Sequence, residues 1–588
     1  MIKLVKRIDR RSWYLIALVF FMVWAQVGLD LKIPAYMSEI TELLSSGSAD
    51  VKNVFNIGLI MLVIALISLA ISIIVSHAVS YFTANFTKNI RNELYDKVQS
   101  LGLEEIHRFK TASLITRTTN DLNQIEMMLG MGVQAIFQAP IMAIWTMRRI
   151  ATKNWQWSLA TGIAIVALLT VIALLVIIVL PKFSLVQKLI DKINSVTREN
   201  LTGIRVIRAF NAEAYQEEKF DAANKDLTST QLFNQRIFAL LEPIIYLVMF
   251  LLSLSIFYIG AVIINGASPT ERVGLFGDMV VFSAYAMQLI FSFLTMAFIL
   301  IIVSRAQVSA DRINEVLDTE SSLVDGSLEF EETDDIKVEY DNVSFQFDDA
   351  EAPVLSGISF DAKNGETIGI IGSTGSGKST LVNLLARFFD VTDGRILINN
   401  QDIRNYKMFS LNNILGYVSQ KPVIFDMSVL DNVKYGSTSK GKVSNIDARE
   451  AIELAQAKDF VDRLEYDEHT RISRGGTNLS GGQKQRLSIA RAIARKPKIF
   501  IFDDSFSALD NKTDLALRNA LEGINDSSIK FIVATRIGTI LKADKIIVLE
   551  EGRMVGFGKH EELLEDCEVY RQIALSQLTE EELSNETR

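Results

Sequence analysis

Gly372 to Thr380 reads GSTGSGKST, glycines and small hydroxyl residues closing on Lys-Ser-Thr. That composition suits a phosphate chain. Gly372, Ser373, Thr374, Gly375, Ser376 and Gly377 let the backbone curl so that successive N–H groups face a phosphate. Lys378 then brings charge to the β- and γ-phosphates, Ser379 a ligand for Mg²⁺, and Thr380 a hydroxyl near the α-phosphate. A pattern this short recurs by chance, but its surroundings fit: the apolar run Thr367–Ile371 precedes it and helix-forming Leu381–Phe389 follows.

About a hundred residues further on stands a second piece of anion chemistry, Leu479–Gln483, LSGGQ. Ser480, Gly481, Gly482 and Gln483 lead into a helix predicted over Gln485–Arg495, whose free N–H groups favour a negative ligand. The apolar run Ile499–Phe502 then predicts a buried strand whose end delivers Asp503 and Asp504 into a cleft.

Together these stretches resemble the ATP-binding-cassette (ABC) ATPases. LSGGQ resembles that family's signature, IFIFDD its Walker B strand, and Ser507–Asp510 (SALD) its D-loop, which puts Asp510 at the nucleotide. Tyr417–Gln420 (YVSQ) is similar to the family's Q-loop, so the resemblance implies Mg²⁺ held by Ser379, Gln420 and Asp503. Phe347 stands where the family usually has a purine-stacking Tyr. It keeps the stacking face and loses the hydroxyl, so both ATP and GTP stay open as the nucleotide.

Two positions depart from the family's pattern. Asp504 replaces the Glu that polarises the attacking water and is one methylene shorter, about 1.5 Å of reach against a hydrogen-bond window about 0.5 Å wide. Thr535 replaces the His that touches the γ-phosphate; it can hydrogen-bond but carries no positive charge. The resemblance also implies head-to-tail dimers in which each nucleotide lies between the phosphate loop of one chain and the LSGGQ of the other. This chain therefore reads as the degenerate-site subunit of a bacterial heterodimeric multidrug ABC exporter. It would lend an intact signature to a second half-transporter with Glu and His restored. An active homodimer and a nucleotide-binding regulatory or sensor subunit are the alternatives. Ser473 and Arg474 fall where exporters usually have Gly-Glu, a charge reversal that hints at an unlike partner surface.

The elements that must position these groups follow. At 588 residues the chain exceeds one core, and 49% of it is hydrophobic, which points toward the membrane. Apolar runs over Trp13–Leu29, Phe55–Tyr81, Met127–Met147, Leu159–Leu180, Phe238–Ile264 and Val273–Val303 each suffice to cross about 30 Å of hydrocarbon. Lys3, Lys6, Arg7, Arg10 and Arg11 before the first run predict a cytosolic N-terminus, and no small-residue cleavage pattern follows it. An even number of crossings leaves both ends cytosolic, so a multi-pass cell-membrane protein is expected.

The fold class expected is therefore multi-domain: an all-α six-helix transmembrane domain over 1–318, an acidic linker over 319–335, an α/β nucleotide-binding domain over 336–577 and an acidic tail over 578–588. Polar inserts Thr83–Glu126 and Lys182–Ile237 resemble the family's cytosolic extensions, with tips near Phe109–Asp121 and Gly203–Tyr215 that would rest on the ATPase domains.

The net charge of −9, with no Lys/Arg cluster, argues against nucleic acid as a partner. Membrane lipid and amphipathic small molecules are the expected contacts. Aromatic and Met residues of the last two runs, such as Tyr246, Phe250, Tyr285 and Met296, suit either an adaptable cavity or plain helix and lipid packing. His77 is expected as a buried, hydrogen-bonded residue, Arg148 and Arg149 as snorkelling cations, and the lone Cys567 as a spectator thiol.

Overall fold

The computed structural model describes the chain except residues 1, 46–50, 152–153, 332, 334, 349, 439–440, 524–526 and 578–588. The acidic tail predicted over 578–588 lies outside the described residues. The chain divides into two compact units, Met1–Gln99 with Thr111–Thr319, and Ser100–Lys110 with Glu320–Arg588.

The first unit is built from α1 (Arg10–Asp30), α2 (Lys32–Ser45), α3 (Val51–Ser100), and, after a break, α5 (Leu122–Ala151), α6 (Trp155–Ala209), α7 (Glu213–Gly266) and α8 (Pro269–Asp318). Among the described residues, six stretches of helix are long and apolar enough to cross a membrane. Their outward surfaces stay apolar, with Phe21, Leu69, Ile163, Ile177, Phe250 and Tyr258 all exposed, the pattern of helices solvated by lipid rather than water. Between them lies a core that includes Val23, Val75, Trp157, Phe282 and Leu289. Its polar tips are satisfied across helices. Trp157 Nε1 donates to the Ile256 carbonyl at 3.1 Å and the Tyr285 hydroxyl to the Leu31 carbonyl at 2.8 Å, bonds that matter where no water competes.

His77 departs from expectation. It sits on an exposed face of α3, because the buried positions of that stretch are Val75, Ala78 and Val79 at helical spacing. Arg148 and Arg149 are exposed at the end of α5.

The first polar excursion breaks earlier than its sequence suggests. The short helix α4 (Leu103–Phe109) belongs to the second unit, whereas Thr111–Thr116 and a π-helical turn over Arg117–Asp121 already lead back into α5. The break is set by Gly102 in extended backbone before α4 and by Lys110 at φ +63° after it. The second excursion turns at Phe210–Ala212, between α6 and α7.

Two large sheets dominate the second unit, beside a two-stranded ribbon pairing Ser437–Thr438 with Gly441–Lys442. Strands β1 (Lys337–Phe345), β2 (Leu355–Lys363), β4 (Asp393–Ile398) and β5 (Gln401–Asp402) form an antiparallel sheet in the order β2-β1-β4-β5. Strands β3 (Thr367–Gly372), β6 (Leu415–Val418), β7 (Ile499–Asp503), β8 (Ile529–Val533), β9 (Lys545–Glu550) and β10 (Arg553–Gly558) form the other, in the order β10-β9-β3-β8-β7-β6. All its neighbours are parallel except β9 and β10. β7 and β8 are buried along their whole length, which fits their apolar runs Ile499–Phe502 and Phe531–Val533.

Helices α9 (Lys378–Leu385), α10 (Gly481–Ala494), α11 (Asn511–Glu522) and α12 (Glu568–Gln577) complete the parts used below. The acidic stretch after Thr319 is not a loose tether but a strap along this unit. The Arg387 side chain, 1% exposed, donates to the Val324 carbonyl at 2.7 Å, and Ser322 N–H reaches Glu105 Oε1 at 2.9 Å.

Candidate nucleotide site

Parallel strands place β3, β8 and β7 side by side with their C-terminal ends together, and in open α/β sheets ligands bind outside those ends. β3 ends in the loop Gly372–Gly377, and α9 begins at Lys378. Gly372 is dictated by close packing, since a Cβ there would overlap the Leu549 carbonyl. Gly375 has φ +85° and would meet nothing within 4 Å, so the loop turns left-handed over open space.

Three features show that the loop fits a nucleotide's phosphates. The cradle above Gly375 is free. The Ser376 hydroxyl is buried without a hydrogen-bond partner. Lys378 Nζ folds over its own loop, donating to the carbonyls of Gly372 at 2.8 Å and Ser373 at 2.7 Å, partners an ammonium would exchange for phosphate oxygens. Burial pulls the Lys378 ammonium below its usual range, and the Asp504 and Asp503 carboxylates oppose that pull.

The donor set also suits Mg²⁺. Ser379 Oγ donates to Asp503 Oδ1 at 2.8 Å, so the hydroxyl and the carboxylate already converge. Burial pushes the Asp503 carboxyl above its ordinary value, and repulsion by Asp504 adds to this while Ser379 and Lys378 act against it. A divalent cation supplies the compensation such a carboxylate lacks.

Asp504 follows the strand with φ +47°, unusual for a residue with a Cβ, and its N–H donates to the Val533 carbonyl at 3.1 Å. Its carboxylate is gripped from two sides. Gln420 Nε2 donates to Oδ2 at 3.1 Å, and the Thr535 hydroxyl to Oδ1 at 3.4 Å. Gln420, Asp504 and Thr535 are thus one connected group beside the Ser379–Asp503 pair.

Other predicted residues stand apart from it. Phe347 packs edge-on against Phe345 and Phe389, with ring centroids 4.8 and 5.4 Å away, which fixes its ring while leaving it half-exposed. Ser480 caps α10: Gln483 N–H donates to Ser480 Oγ at 3.3 Å, and Ser480 N–H to Gln483 Oε1 at 2.8 Å. That reciprocal cap starts the helix at Gly481, four residues before the predicted Gln485. Ser480 and Gly481 are exposed, and their cap makes no bond to the phosphate loop. Asp510 caps α11, both carboxylate oxygens taken by Thr513 through its N–H at 3.0 Å and its hydroxyl at 2.8 Å, which holds the Asp510 carboxyl below its usual range.

Sequence reasoning missed the groups that brace this site. Gln577, last residue of α12, clamps the segment Thr535–Ile537 after β8, here called the switch segment: its Nε2 donates to the Thr535 carbonyl and its Oε1 accepts from Ile537 N–H, both at 2.9 Å. Gln485 in α10 donates to the Ser419 carbonyl at 3.4 Å, and the Tyr417 hydroxyl to Asn383 Oδ1 at 2.9 Å. Only the polarity of Gln577 at the end of an otherwise apolar-faced helix signals such a role.

A phosphate loop, a converging Ser–Asp pair and a parallel sheet, joined to six helices that can cross a membrane, define an ATPase coupled to a membrane domain. Comparison with known proteins agrees. Residues 355–507 match the family model described as ABC transporter, and residues 16–293 the ABC transporter transmembrane region. An uncharacterized ABC transporter ATP-binding protein of Mycobacterium tuberculosis is 33% identical over 571 residues, covering 96% of each chain. An ATP-dependent lipid A-core flippase of Syntrophus aciditrophicus is 31% identical, over 84% of this chain and 81% of its own. The structure of a bacterial Atm1-family ABC exporter with ATP bound superposes with a TM-score of 0.79 at 23% identity, over 97% of this chain and 99% of that one.

The chain belongs to the ABC transporter family, with membrane and ATP-binding parts in one polypeptide. It is an ABC-type ATPase, and domains of this type bind ATP with Mg²⁺.

Proposed function

We propose that this chain is one subunit of an ATP-driven exporter of amphipathic compounds, binding nucleotide at a weakly hydrolytic site of its own and completing its partner's site through Ser480–Gln483. The single observation that carries this reading is the group around Asp504. Its short carboxylate is held by Gln420 and Thr535, and no imidazole stands at Thr535 to meet a γ-phosphate. Loss of a positioned base alone costs about 10²- to 10⁴-fold. The signature side retains its Ser, both glycines and a formed helix N-terminus.

In this scheme Gly372–Thr380 bind the phosphates and Phe347 stacks on the base, with GTP an alternative to ATP. Ser379, Asp503 and Gln420 hold Mg²⁺, and Asp510 lies at the edge of the shared site. Residues 1–318 form the membrane domain and 336–577 the ATPase domain. Both termini and the ATPase lie on the cytoplasmic side. Closure of two ATPase domains on nucleotide drives alternating access, and hydrolysis at the partner's site resets it. The similarity to lipid A-core flippases supports a lipid or lipid-like cargo, alongside amphipathic drugs.

The test is nucleotide turnover by the purified chain alone. Slow turnover that rises in the double variant Asp504→Glu, Thr535→His supports the scheme. Full turnover by the unaltered chain as a homodimer overturns it.

A further inference from the structure

The parallel sheet carries a second recess, at the end away from the phosphate loop. Thr367 opens β3 and Lys530 lies at the start of β8, and both line a cavity of about 50 Å³. Arg518 and Glu522 of α11 line it too, and Thr539 and Lys542 come from the crossing between β8 and β9. That crossing lies close on β3 because Gly369 has no Cβ, which would come within 2.9 Å of the Ile540 Cβ.

Size limits the ligand. A water needs about 10–15 Å³ of such space, so the recess holds several waters, the scale of a tetrahedral oxyanion. Whole small-molecule sites run to roughly 300–1,000 Å³, so a nucleotide does not fit.

The lining is rich in donors. Arg518 Nη1 donates to the Gly538 carbonyl at 2.9 Å and Nη2 to Asp514 Oδ2 at 3.1 Å, which fixes the guanidinium and leaves each of these nitrogens a second N–H. Lys530 is 6% exposed, and charge at that depth acts through a lower dielectric than water. Lys542 adds a cation at the exposed rim, and Thr367 and Thr539 add hydroxyls. Cations from three separate elements converging with hydroxyls suit an oxyanion.

Glu522, exposed at the same recess, narrows the choice. At neutral pH phosphate keeps a proton that a carboxylate can accept, whereas sulfate keeps none and is repelled. The position in the chain sets the consequence. α11 starts at its Asp510 cap, and the crossing follows directly on the switch segment.

We infer that this recess binds inorganic phosphate and that the bound ion braces the crossing after Thr535. Arg518, Lys530 and Lys542 meet its charge, Thr367 and Thr539 its oxygens, and Glu522 accepts its remaining proton. The site is separate from the nucleotide's and stands whether or not the chain exports anything.

The experiment titrates phosphate into the full chain in nanodiscs with Mg²⁺ and a saturating non-hydrolysable ATP analogue, so that the phosphate loop is already filled. The readout is amide exchange over residues 537–543. Glu522 and Lys542 are exposed, so substituting them leaves the packing intact. Phosphate slows exchange there in the unaltered chain, and Lys542→Glu raises the concentration needed about tenfold or more, as loss of a charge-assisted bond does. Sulfate is weaker than phosphate on the unaltered chain and its equal on Glu522→Gln.

No slowing by phosphate, or slowing at the same concentration in Lys542→Glu, overturns the site. The same protection from chloride at matched ionic strength also overturns it, since that is screening alone. Sulfate equal to phosphate on the unaltered chain strikes out the part given to Glu522. Phenyl phosphate tests the source of the ion: weaker protection than by phosphate supports the free ion, and stronger protection overturns that assignment in favour of a phosphate monoester.

Discussion

Two helix N-termini in the ATPase unit invite comparison, α9 after the phosphate loop and α10 after Leu479. Both follow glycine-containing turns and both present free N–H groups. At α9 the polar side chains are tied into the chain's own sheet: Lys378 to its loop, Ser379 to Asp503, and nearby Asp504 to Gln420 and Thr535. At α10 the side chains of Ser480 and Gln483 accept each other's backbone N–H groups, and the start of the helix is exposed. One end is assembled by its own chain. The other is capped locally and left exposed.

The largest expected effect on the α9 side comes from changing Asp504 and Thr535 together. Asp504→Glu with Thr535→His is expected to raise nucleotide turnover by about 10²-fold or more, since a base and a charged γ-phosphate contact return together. Steady-state phosphate release checks it. Removal of the cation from the same α9 side comes next. Lys378→Ala is expected to weaken nucleotide affinity about tenfold or more, as loss of charge-assisted bonds does, read by equilibrium titration with a fluorescent nucleotide.

A smaller effect belongs to the clamp. Gln577→Ala removes two hydrogen bonds to the switch segment, each worth about 1 kcal/mol, and frees Thr535 and Ile537 to exchange amide hydrogens faster, with little change in nucleotide affinity. On the exposed side, Ser480→Ala is expected to cost about 1 kcal/mol through loss of the cap. Its larger consequence is slower turnover at the partner's site, measured in the assembled complex.

The smallest effect is a pH dependence at α4. Burial first, then a hydrogen bond and repulsion from Asp348 and repulsion from Glu105, raise the Glu104 carboxyl above 4.5, while a bond to Ser322 opposes them. A carboxyl raised on folding binds its proton more tightly in the folded unit. The Glu104–Asp348 contact is therefore complete below the ordinary carboxylate range and is lost as pH rises through the raised value. Exchange protection of α4 amides, corrected for intrinsic rates, should fall over that window and lose the dependence in Glu104→Gln.

How much was legible beforehand varies with how local the signal is. The phosphate loop, the signature and the six apolar runs are contiguous stretches whose residue types carry their own meaning. Errors arose where a boundary depends on one cap or one contact. Helix α10 begins early because Ser480 and Gln483 bond each other, and the first polar turn falls at 102–110 because of Gly102 and the left-handed Lys110. His77 reads as buried from its place in an apolar run, yet helical phase turns it outward.

The sequence by itself determined the chemistry offered: phosphate, Mg²⁺ and a membrane, because short motifs and apolar length act through neighbouring residues. Only the tertiary structure decided how Asp504 is held between Gln420 and Thr535, that Gln577 braces the switch, and that Arg518, Lys530 and Lys542 line one recess. Those contacts join residues far apart in the chain, and their partners are chosen by packing of sheets and helices, which no local pattern encodes.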